Sequence, residues 1–267
     1  MTYLAKQGTV QAADAVGLSS RLSMTPVPGT ENTQFTLDYF DGMSADGLYG
    51  FHIAAPLTGD LTVAGAGGKA AGVARLADTV YYIYLIGDTT GTNPDAILIE
   101  DGSGCAVPSL PAGYDSYRLV GSQNTDAGQN FRPLRKTDTL VMYLEKTDSK
   151  LYGHDAGLWT NTDRPVTLLT SFYTTKLLLT VQLQCPGDTS IQYEAFYKNY
   201  AAGVLGEAYK YFRVDEGAGG PDVEGDYTSN DWIDVQSIGA APGTRSFEDS
   251  LSGGWATVYV AGFQEPI

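Results

Sequence analysis

"DTVYYIYLIGD", residues 78–88, decides the fold class, because every position from Thr79 to Ile86 is β-branched, aromatic or aliphatic. Such side chains pack well on a pleated surface, and the apolar run 79–87 is far too short to span a bilayer. Other segments repeat the message with a period of two. "QFTLDYFD" (34–41) sets Phe35, Leu37 and Tyr39 against Thr36 and Asp38, and "LYGFHIAA" (48–55) follows after a turn. "KLLLTVQLQC" (176–185) places Leu177, Leu179, Val181, Leu183 and Cys185 on one face and Thr180, Gln182 and Gln184 on the other. "SIQYEAFY", "EAYKYFRV" and "WATVYVAGF" alternate in the same way.

Between these runs lie turn clusters: "DTTGTNPD", "EDGSGCAVPSLPAG", "DEGAGGPDVEGD" and "AAPGTR". Helical periodicity is nearly absent. Its best candidate, "KNYAAGVLGEAYKYF", is interrupted by Gly203 and Gly206. Short strands between frequent turns predict an all-β chain, an antiparallel β-sandwich of jelly-roll type. It reads as one sandwich over 34–267 or as two halves divided within 145–163. Residues 1–33 read as an N-terminal extension, small and polar at first, that a partner orders. The Ala/Gly-rich 61–76 reads as a flexible tip, a loop packed on a neighbouring subunit or a poor helix.

The formal net charge is −15, with 31 acidic against 16 basic residues. That surplus repels phosphate backbones and anionic lipid, so neither a nucleic-acid partner nor membrane insertion is expected. "MTYLAKQGTVQAADAVGL" has neither the basic start nor the long apolar stretch of a secretory signal, which predicts a soluble product made in the cytoplasm. Cys105, in a Gly-Ser loop, reads as a free thiol, and Cys185 as a small core residue. Their separation alone does not place them within disulfide range.

No reaction motif stands out. His52 alternates with Phe51 and Ile53 and should project from the opposite face of its strand; His154 lies in a turn. Neither has a second His or a Cys at ligand spacing. Nucleophile elbow, phosphate loop, dinucleotide fingerprint and zinc-protease signatures are all missing from the sequence. The acidic stretch 214–232 is the candidate cation loop. Asp215, Glu216, Asp222, Glu224 and Asp226, with Asp231 beyond them, alternate with glycines and supply the hard oxygen ligands that calcium takes. Their spacing is not that of an EF-hand, and the competing reading is a solvated acidic loop. Trp159 and Trp232, which flank turns, are the candidate glycan platform, whereas Trp255 opens an alternating strand and reads as core.

The segment from Leu76 to Glu145 also resembles a module of tailed-phage structural proteins found among tail-fibre, head-spike and other virion proteins. The elements that carry it are the strand Ala77–Ile86, the turn Gly91–Asp95, the corner "PSLPAGYDSYRLVGS" (108–122), the polar loop Thr125–Gly128 and the strand Asp138–Leu144. "GGWATVYVAGFQEP" is similar to the module's last strand, and "KLLLTVQLQCP" fits its middle one. The resemblance implies a non-enzymatic β-sandwich displayed on a virion as a homo-oligomer, taken as a trimer. It assigns no catalytic residue and no cofactor. Within it, the corner 110–128 is expected to turn at Pro111 and Gly113, pack through Tyr114 and Tyr117, and expose "QNTDAG" as a hairpin. The N-terminal segment is expected to contact other virion proteins. The alternative is a carbohydrate-binding receptor module that reads a host surface glycan through exposed aromatics and the loops 88–95 and 214–232. A hydrolase ranks third.

Overall fold

The computed structural model describes residues 24–27, 32–53, 55–88, 94, 96–101, 107–144, 150–154, 171, 173–185, 192–201, 204–206, 211–215, 225–234, 245–250 and 255–265. Among these residues every regular element is a strand, and no helix is long and apolar enough to cross a membrane. The chain divides into two compact units, Met1–Leu144 with Glu265–Ile267, and Glu145–Gln264. The division falls at the start of the 145–163 stretch.

In the first unit the strands are β1 (Met24–Pro26), β2 (Gln34–Leu37), β3 (Asp41–Met43), β4 (Gly50–His52), β5 (Leu57–Asp60) and β6 (Gly68–Lys69). They continue as β7 (Val80–Asp88), β8 (Ala96–Asp101), β9 (Tyr114–Asn124), β10 (Leu134–Thr137) and β11 (Leu140–Tyr143). One antiparallel sheet runs β11-β10-β1-β2-β5. Another runs β6-β8-β7-β9, antiparallel except where β6 meets β8. β3 and β4 form a separate hairpin.

The run that fixed the fold class is β7, and residues 81–87 are buried on both faces of it. That explains its unbroken apolar character, since a strand covered on both sides need not alternate. Its odd-numbered face meets Phe35 and Leu37 of β2, Phe51 and Ile53, Ile97 and Ile99 of β8, and Phe131 in one core. Phe131 sits edge-on to Phe35 and to Tyr81, with ring centroids 5.5 and 6.4 Å away. Gly59 makes room for this packing. It lies opposite Phe35 in the β2–β5 register, and a Cβ there would stand 2.5 Å from Phe35 Cζ and 3.1 Å from Ile97 Cγ2.

The second unit contains β12 (Lys150–His154), β13 (Lys176–Cys185), β14 (Gln192–Ala201) and β15 (Val204–Gly206). After these come β16 (Tyr211–Asp215), β17 (Gly225–Asp234), β18 (Arg245–Ser250) and β19 (Trp255–Gln264). β13 lies between β17 and β19, with β12 on the far side of β19. β14 pairs with β15, β16 and β18. In β13 Leu177 is buried and Lys176 exposed, in keeping with its alternation; in the neighbouring strands Val260 and Phe263 are buried and Trp232 is exposed.

Two segments differ from their sequence-based reading, and for a third one alternative drops out. Met24–Pro26, inside the expected N-terminal extension, is a strand paired with β2 and β10. Residues 61–76 form a series of turns around the two-residue β6, which excludes the poor helix among the three readings; Gly65, Gly67 and Gly72 take positive φ in those turns. The weak helical candidate 198–212 contributes to β14, β15 and β16 instead.

Candidate functional site

The corner 110–128 begins as its composition dictates. Gly113 has φ +93°, a conformation costly for other residues, and Tyr114 N–H donates to Pro111 O at 3.1 Å. Tyr117 packs edge-on against Tyr84 at 6.1 Å, and burial, with Asp46 nearby, pushes its hydroxyl pKa up. The strand then departs from expectation. β9 runs eleven residues, through a register shift opposite Ile83/Tyr84, to Asn124. Ser122, Gln123, Asn124 and Thr125 are therefore buried, and only Ala127, Gly128 and Gln129 are exposed at the tip. The expected exposed hairpin "QNTDAG" is half interior because the ladder to β7 continues through it.

The polar groups of that loop hold the chain to itself. Thr125 Oγ1 donates to Leu76 O at 2.7 Å and accepts from Thr79 N–H at 3.0 Å. Asp126 closes the turn, accepting from Asn130 N–H through Oδ1 and from Gln129 N–H through its carbonyl. Arg75 reaches in from the 61–76 loop, donating from Nε to Gln129 O and from Nη2 to Asn130 Oδ1, at 2.8 and 2.7 Å. Arg132 donates to Thr125 O and forms a 3.0 Å ion pair with Asp78, itself at φ +47°. Tyr81 completes the set. Its hydroxyl donates to Ala74 O and accepts from Leu76 N–H, and burial raises its pKa.

A second polar group lies deeper. Lys136 of β10 and Glu265 are 1% and 0% exposed, and Lys136 Nζ donates to Glu265 Oε2 at 2.8 Å. The same oxygen accepts from Ser122 N–H of β9 at 3.2 Å, and Glu265 N–H donates to Thr139 O. Nearby in sequence, Asn124 Nδ2 donates to Tyr143 Oη at 2.8 Å. Gln123 is 1% exposed, and neither of its amide atoms has a hydrogen-bond partner in the protein. Lys136 and Glu265 were missed by sequence reading. A lysine in "PLRKTDTLVM" looks solvated, and the one available signal was its position two residues from Leu134, on the same face of an alternating strand.

Of the residues singled out from sequence for the cation loop, Asp215, Asp226 and Asp231 fall on described strands. Asp215 ends β16 and Asp226 lies near the start of β17, so the two belong to different sheets of the second unit. Glu216, Asp222, Glu224 and Trp159 lie outside the described residues, as does Cys105. No group of three or more His, Cys, Asp or Glu with metal-binding geometry occurs among the described residues. Trp232 is 38% exposed on β17. Its neighbours across the ladder are Leu178 and, beyond it, Gly262. His52 is exposed, edge-on to Tyr39 at 6.0 Å, on the face of β4 opposite Phe51, as expected. His154 is in β12 and pairs with Ala256, not in a turn. Comparison with protein-family models, with curated proteins and with solved structures found no match to the chain.

Proposed function

We propose that this chain is a non-enzymatic structural protein of a tailed-phage virion, a head decoration, head spike or tail fibre, built as jelly-roll-like β-sandwiches and displayed as a homo-oligomer. The observation that supports this reading most is the corner 74–79/124–132. This polar corner, most of it within the segment that resembles the phage module, with Arg75 just before that segment, spends its Thr, Asp and Arg groups on cross-links within the chain. A scaffold needs such a corner, whereas a catalytic loop needs its reactive groups aimed at a substrate. The test is immunogold labelling of purified particles. Label on a defined part of the particle is the expected result, and unlabelled particles would sink the reading. Light scattering of the isolated protein is expected to give a trimer mass, and a monomer argues against a spike or fibre.

The exposure of Trp232 favours one second reading, a carbohydrate-binding module. The Trp232 ring, paired across the ladder with Leu178, is exposed on β17 and offers a face of the kind sugars stack on. Glycan-array binding that survives Trp159→Ala and Trp232→Ala unchanged would exclude this platform.

A further inference from the structure

Lys136 and Glu265 pose a physical problem that the scaffold reading does not absorb. A lysine buried to 1% exposure is tolerated only with a charge partner, because an ammonium in a low-dielectric interior is very costly unpaired. The carboxylate placed against it comes from 129 residues further along the chain, after every strand of the second unit. Glu265 also spans the interior of the first unit. It binds Lys136 in the sheet β11-β10-β1-β2-β5 and Ser122 N–H in the sheet β6-β8-β7-β9, while its own N–H binds the β10–β11 turn at Thr139. Three hydrogen bonds from one residue therefore join both sheets and one turn of a unit whose other described residues end at Leu144.

We propose that Glu265 is a latch that makes closure of the first unit conditional on a segment lying beyond the second. Without the carboxylate, Lys136 has to leave the interior to regain water, and β10 must loosen from the core face it shares with Leu134. The first unit then opens locally while the second keeps its own ladder. An apolar pair in the same two positions has no charge to solvate and keeps the unit shut. The latch thus acts as a completion check: the segment carrying the β7–β9 core reaches its closed form only when the chain following β19 is docked.

Three full-length variants test this: Glu265→Leu, Lys136→Met, and the two together. Hydrogen exchange followed by mass spectrometry reads peptides covering Ser122 and Lys136, with peptides of β13 as the internal reference. In Glu265→Leu the first-unit peptides are expected to exchange roughly 100-fold faster, the scale of breaking a buried ion pair from one side, while β13 is unchanged. Lys136→Met/Glu265→Leu is expected to return the first unit to within about tenfold of the parent. Parent-like exchange in Glu265→Leu overturns the latch. So does a double variant as open as the single one, because charge compensation is then not what holds the unit closed. If Glu265→Leu fails to accumulate, the double variant and Lys136→Met carry the test: the latch requires the double variant to be the more protected of the two.

Discussion

At Gln123 the interior holds a polar side chain with nothing in the protein to bind. Its place opposite Tyr81 in the β9–β7 register puts it on a strand whose neighbours are buried too. A buried amide without partners costs about 1–3 kcal/mol relative to one that is satisfied or replaced. Gln123→Met, close in length and without the amide, is therefore expected to raise stability by about 1 kcal/mol, read as a shift in the urea midpoint. A loss instead would show that the amide is hydrogen-bonded to interior water. Asp60 presents the opposite case. Burial raises its carboxyl pKa, but Thr62 hydroxyl and N–H, the Gln34 amide and the Arg75 charge outweigh this, leaving it below the ordinary 3.8. A group depressed in the folded state contributes stability above its unfolded pKa and loses it as pH falls through the folded one. The stability gap between the parent and Asp60→Asn should accordingly be widest near pH 7 and close below about pH 4, in melts taken across that range.

At the scale of elements, the sequence was most legible where one strand's own side chains decide its state. β7, β2 and β13 show this: their β-branched, aromatic or alternating runs need no distant partner to read as strands. Elements set by long-range pairing were not legible. β1 exists because Met24 pairs with Lys136 and Leu37, and β6 is two residues held beside Leu98 and Ile99. The polar end of β9 looked like a loop because Ser, Gln, Asn and Thr are turn residues by composition. They are interior because β7 still has backbone groups to pair there. The buried ion pair was hidden for the same reason, since its halves are neighbours only after both sheets form. The same logic makes Gly59 an element-level constraint. Its Cβ-free surface seats the Phe35 ring, a fully buried side chain that has no room to swing away. Gly59→Ala is expected to destabilise by about 1–3 kcal/mol, the usual cost of overpacking a core. Gly59→Ala with Phe35→Leu should recover part of the loss if the ring is the obstacle, a pairing that denaturant melts of the single and double variants resolve.

Across the whole molecule the dominant long-range force is repulsion. With a net charge of −15, the 31 acidic residues outnumber the 16 basic ones, so repulsion among like charges exceeds what attraction to cations can offset. At about 0.01 M ionic strength the screening length is roughly 30 Å, so these charges act on each other across a domain; at about 0.15 M it is near 8 Å. The buried Lys136–Glu265 pair is out of reach of that screening, whereas the partly exposed Arg132–Asp78 pair is weakened by it only slightly. Salt therefore removes more repulsion than attraction, and the melting temperature at pH 7 is expected to rise steadily as sodium chloride goes from about 0.01 to 0.5 M. The same term opposes association of identical acidic subunits, so the proposed oligomer should gain mass over the same salt range in light scattering. A melting temperature that falls with salt would mean that exposed ion pairs outweigh the net charge. A mass that is trimeric and constant from the lowest salt upward would mean that the subunit contact is apolar enough to override repulsion, the behaviour expected of an obligate rather than an assembly-triggered oligomer.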